Sequence, residues 1–163
     1  MKKLVLYSEE SFFGGTIYCG IAEVVDTLAA SLADEYEVYV VCKEGDTSLA
    51  ETISDIYDFK FGIKRGEVLK VNYILINENL WPNQGYLFLN ELKPDIIHNF
   101  TNPDLYLYLD FKPKLIYTFD DTAFLVNNIE NLRYYDYVTS FSKTYIEDLL
   151  NSENGLFLKE LNI

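Results

Sequence analysis

Histidine occurs once in this chain of 163 residues, at His98, which excludes histidine-based zinc sites and a relay needing a second histidine. Cysteine occurs twice, at Cys19 and Cys42, without metal-ligand spacing, and this fits a reduced, cytoplasmic setting. Basic residues are scarce. The 13 Lys and Arg stand against 26 Asp and Glu, for a formal net charge of -13. Binding nucleic-acid phosphates needs clustered Lys and Arg, and so does an anionic membrane surface, so neither is an expected partner. No apolar run approaches the roughly 20 residues of a transmembrane helix. Met1-Lys2-Lys3 begins as a signal peptide would, but the apolar stretch stops at Ser8, and a first β-strand is the better reading. The dinucleotide pattern G-x-G-x-x-G is missing, and so is the Gly-Lys-Ser/Thr of a phosphate-binding P-loop.

The residues present describe one globular domain, 1–163, since 49% hydrophobic content and this length can build a core without disulfides. Aromatics are plentiful, with 14 Tyr, 11 Phe and the single Trp81, and serve as core filler or as platforms for rings. Residues 3–7 read as a strand. Ile21, Val24, Val25, Leu28 and Leu32 recur at helical spacing, with Glu23, Asp26 and Thr27 elsewhere on the wheel. Residues 37–42 form a β-branched run expected of a strand buried on both faces, which makes 3–42 a βαβ unit with parallel strands. Further along, the pattern predicts a helix over 49–57, strands over 59–64 and 68–76, and a helix over 84–92. Strands follow at 95–98, 115–119 and 137–140, and a helix capped by Ser142 runs to about Leu150. Asn102-Pro103 is a helix start, with Asn102 as cap and Pro103 in the first position. The sum is an α/β fold: a three-layer, Rossmann-like, doubly wound and mostly parallel sheet.

Ligands of such sheets bind beyond the carboxyl ends of the strands. The candidate segments are 8–20, 98–102, 119–122 and 140–142. Gly14, Gly15 and Gly20 either bring backbone N–H groups to a phosphate or serve a turn and close packing. Phe12, Phe13 and Trp81 are candidates for an aromatic patch near the same edge, covered by a partner domain if one exists.

Several segments, in order, resemble the amino-terminal domain of bacterial glycogen and starch synthases. These are Leu4-Val5-Leu6-Tyr7-Ser8-Glu9 with Gly20-Ile21-Ala22-Glu23-Val24-Val25, then Val71 to Glu78, Lys93-Pro94-Asp95-Ile96-Ile97-His98, Leu115 to Asp120, and Asp136 to Tyr145. The resemblance implies half of a GT-B architecture. Such a retaining glycosyltransferase moves glucose from ADP- or UDP-glucose without a metal or other cofactor, and needs a carboxyl-terminal domain or subunit to be active. On that resemblance Gly14, Gly15, Gly20, His98, Asn99, Asp120 and Asp121 line the side that receives a glucan acceptor, with Asp120 where the family has a histidine. The sequence departs from the family in lacking a lysine between Lys3 and Lys43 and in that Asp120, which would repel a phosphate leaving group. No catalytic residue is assigned. The alternatives are a non-catalytic remnant that binds a glucan or a protein, and an unrelated Rossmann-like nucleotide-binding module.

Overall fold

The computed structural model describes residues 1–15, 20–46, 56–119, 129–144, 147 and 151. The expected helix over 49–57 lies outside these residues up to position 55, and 56–58 are strand. Cys19, Asp120, Asp121 and most of the expected helix after Ser142 also lie outside them.

Among the described residues eight strands form one sheet: β1 (Lys3–Tyr7), β2 (Glu37–Lys43), β3 (Ile56–Asp58), β4 (Ile63–Val68), β5 (Val71–Ile76), β6 (Ile96–Asn99), β7 (Lys114–Phe119) and β8 (Tyr137–Ser140). Their spatial order is β3-β4-β5-β2-β1-β6-β7-β8. From β5 to β8 every neighbouring pair is parallel. The six strands β5-β2-β1-β6-β7-β8 therefore repeat the 3-2-1-4-5-6 order of a Rossmann sheet. An antiparallel β3–β4 hairpin is added at the β5 edge.

Alternation along the strands sends side chains to two faces. Leu4, Leu6, Val38, Val40, Cys42, Tyr73 and Leu75 lie on one face beneath helix α1 (Gly20–Leu32). Of the bulky stripe read from the sequence, Val25 is fully buried at this contact, Ile21, Leu28 and Leu32 pack at its side, and Val24 is exposed. The residues buried against the sheet are the small Ala22, Val25 and Ala29 together with Asp26. Val5, Tyr7, Val41, Ile74, Ile97, Tyr117 and Val138 face the other way, toward helix α2 (Asn83–Leu92) and two 3-10 segments, Pro103–Tyr108 and Ile129–Tyr134. The result has three layers, as expected. Asn102 caps the first 3-10 segment, accepting from Asp104 N at 2.9 Å, with Pro103 in its first turn.

The sequence reading of 59–76 is corrected. Residues 59–62 are a turn, and the expected strand 68–76 is split by a two-residue turn at Leu69 and Lys70, both with positive φ. Val68 pairs with Val71 across it. Asn-Gly is the usual signal for such a turn, so Leu-Lys hides it. β4 was illegible because only Ile63 is fully buried in it.

Candidate functional site

The chain leaves β1 toward β2 on one side and returns from β5 to β6 on the other, so the sheet changes direction between β1 and β6. Ligand crevices of doubly wound sheets open at this point. A cleft of about 520 Å³ lies there. Glu9 after β1, Thr101 and Asn102 after β6, Phe119 at the end of β7, and Trp81 and Tyr86 from the α2 side all line it.

Three local structures hold these walls. The first is an aromatic stack. Trp81 packs on Tyr7 with centroids 4.9 Å apart and planes 18° apart, and Tyr86 packs on Tyr108 at 4.3 Å and 4°. Gly85 lets α2 approach this closely, since a Cβ there would stand 2.6 Å from the Tyr7 hydroxyl. Burial pushes the Tyr7 phenol well above its ordinary pKa and the Tyr86 phenol up to about 12, so both stay protonated at neutral pH.

The second is Asn99, a fully buried polar side chain at the end of β6. Its amide donates to Asn102 O and Tyr135 Oη, each at 2.8 Å, and its carbonyl accepts from Thr101 N and Thr101 Oγ1, each at 2.9 Å. Asn99 thus shapes the loop that lines the cleft, and its own amide is fully used.

The third is Asp26. From α1 its carboxylate accepts Ser11 Oγ at 2.9 Å, Tyr73 Oη at 3.0 Å, Phe12 N at 2.6 Å and Phe13 N at 3.3 Å. These bonds fasten the loop after β1 to the helix. Burial raises the carboxyl's pKa, and the hydrogen bonds oppose that rise.

The glycines of this loop are placed for packing. Gly14 N donates to Ser11 Oγ at 3.1 Å and Gly15 N to Phe12 O at 3.1 Å. A Cβ at Gly14 would stand 2.7 Å from Cys42 Sγ, and Gly15 has φ of +102°. Both N–H groups are therefore engaged within the loop. Gly20 opens α1 with nothing within 4 Å of where its Cβ would be. Phe13 packs edge-on against Tyr73, whereas Phe12 is 42% exposed.

His98 and Asn99 are neighbours on β6 and so point to opposite faces. His98 lies on the α1 face, where Nε2 is 2.6 Å from Thr118 Oγ1, which in turn is 2.6 Å from Thr139 Oγ1. Its ring stacks on Phe100 at 4.2 Å. Burial lowers its pKa to about 4, which makes this imidazole a weak base.

Polar character at the cleft rim is acidic. Glu9 pairs with Lys43 at 2.8 Å, and Glu78 lies 3.9 Å from the same ammonium. The bond to Glu9 is the main reason Lys43 is held above its usual pKa. Glu44 pairs with Lys64. Among the described residues no three His, Cys, Asp or Glu side chains gather as a metal site would require. Nor is any helix among them long and apolar enough to cross a membrane.

No family model and no curated protein matches this sequence. Among solved structures, the crystal structure of the Sure protein from Aquifex aeolicus shares 14% identity at a TM-score of 0.37. The match covers 72% of this chain and 50% of that one, so this chain spans about half the length of that neighbour. A likeness of this size says nothing about activity. The absence of any matching family model or curated protein overturns the glycogen- and starch-synthase resemblance and the GT-B half it implied, and leaves its transferase chemistry without support. The physical reason is visible in the sheet. The segments that carried the resemblance include β1, β5, β6, β7 and β8, and their apolar, β-branched character is what burial demands of strands in a parallel sheet.

Proposed function

We propose that the chain is a Rossmann-like small-molecule-binding module whose cleft takes a nucleoside, or the nucleoside part of a nucleotide. The observation that carries this reading is the cleft between β1 and β6, walled by Trp81, Tyr86 and Phe119 and edged by Glu9, Thr101 and Asn102. Flat bases stack on aromatic rings, and each such contact contributes about 1–3 kcal/mol. A carboxylate such as Glu9 accepts hydrogen bonds from vicinal ribose hydroxyls. Lys43 is neutralised by Glu9, and Gly14 and Gly15 use their N–H groups within the loop, so none of these three is free to hold a phosphate. Calorimetric titration with adenosine, uridine, their monophosphates and maltotriose tests this reading. Saturable nucleoside binding, weaker for the monophosphates and undetectable for maltotriose, supports it. Binding of the oligosaccharide alone, or of none of these ligands, contradicts it.

A further inference from the structure

A second pocket, of about 390 Å³, opens at the opposite, amino end of the strands and shares no lining residue with the cleft. Leu109, Phe111 and Leu115 give it apolar walls, and Lys112 and Arg133 are its cations. Acids outnumber bases two to one in this chain, so a cation without a carboxylate partner is informative. Seven described Lys and Arg side chains pair with a carboxylate. Lys112 and Arg133 have no such pairing among the described residues. Arg133 instead lies over the Tyr134 ring at 4.9 Å and donates one hydrogen bond to its hydroxyl at 2.9 Å, leaving further guanidinium N–H donors. Tyr134 is itself fixed by stacking on Tyr106 at 4.0 Å. The one acid in the lining, Asp136, accepts Leu115 N at 2.8 Å and so turns an oxygen toward the backbone. Exposed Glu130 lies one helical turn before Arg133 without pairing with it.

The setting of the pocket points the same way. Lys2, Lys3, Lys93, Lys112, Lys114 and Arg133 all precede or begin the strands β1, β6, β7 and β8. Glu9, Glu10, Glu44 and Glu78 follow the strands at the other edge. Acids stand at this edge too, but Asp110 is paired with Lys93, and Asp95 and Asp136 each accept a backbone N–H, so the two unpaired cations of the pocket dominate its local charge.

We infer that this pocket is a second ligand site, for a small carboxylate with a flat apolar body. The carboxylate would sit between Lys112 and Arg133, and the apolar body against Leu109, Phe111 and Leu115. Titration with benzoate, followed by the backbone amide resonances of Leu115, Arg133 and Tyr134, tests it. The expected result is saturable shifts confined to this pocket, with weaker binding of both benzyl alcohol and inorganic phosphate. The double variant Lys112→Gln, Arg133→Gln, whose exposed substitutions leave the core intact, is expected to weaken benzoate binding about tenfold or more. Equal binding of benzyl alcohol would show that the charges are idle, and equal binding of phosphate would show that the apolar walls are. Either result overturns the inference, as does the absence of saturable shifts or unchanged benzoate affinity in the double variant.

Discussion

Asp26 on α1 and Ser11 in the loop after β1 are joined by a buried 2.9 Å hydrogen bond, which sets where the loop stands relative to the sheet. The same carboxylate holds Phe12 N, Phe13 N and the Tyr73 hydroxyl. Asp26→Ala strands several donors at once and is expected to cost about 2–4 kcal/mol in urea unfolding. Asp26→Asn keeps one acceptor and is expected to cost less. Its folded pKa is raised, so the carboxyl's contribution is fully present below the unfolded pKa and is lost as pH rises through the folded one. The stability difference between wild type and Asp26→Asn should therefore move in favour of wild type as pH falls.

His98 has the opposite sign. Its pKa is lowered to about 4 by burial, so the neutral ring's contribution is present above the unfolded pKa of about 6.5 and is lost as pH falls toward 4. Thermal midpoints measured across this window should fall more steeply for wild type than for His98→Gln, which removes the titrating ring. Parallel curves would contradict the assignment.

Gly14 and Cys42 form a testable pair. Gly14→Ala is expected to destabilise by about 1–3 kcal/mol through the clash with Cys42 Sγ. The cost should shrink in a Cys42→Ala background. A double-mutant cycle in urea measures the coupling, and additive effects would refute the contact.

Gly85→Ala replaces a helix-interior glycine, which alone would favour the helix by about 1 kcal/mol. The approach of Tyr7 should reverse that sign, because the new methyl meets a buried aromatic ring. Loss of stability together with a change in Trp81 emission is the expected outcome, since Trp81 rests on the same ring.

The parallel core was legible because burial on both faces writes long apolar runs into β1, β2, β5 and β7. The β4–β5 hairpin was not, since its turn uses Leu69 and Lys70 and β4 is largely polar. Asp26 was read as an outward residue because polar side chains usually face water. The small Ala22 and Ala29 on the same face are the signal that α1 approaches the sheet there. For the cleft, the position beyond the carboxyl ends was legible, and it places Glu9, Thr101, Asn102 and Phe119. The contributions of Tyr86 and Tyr117 depend on packing between elements distant in sequence, which no local pattern records.

Trp81 is the chain's single tryptophan and lines the cleft, so its emission reports on that cleft alone. Titrating adenosine against this emission tests the binding reading most directly. The account predicts a saturable change, with adenosine monophosphate binding more weakly because the rim is acidic. It also predicts that Tyr86→Ala, which removes a second wall, weakens adenosine by roughly 5- to 100-fold, the equivalent of one lost stacking contact. A flat titration with adenosine and uridine, or tighter binding of the monophosphate, would contradict it.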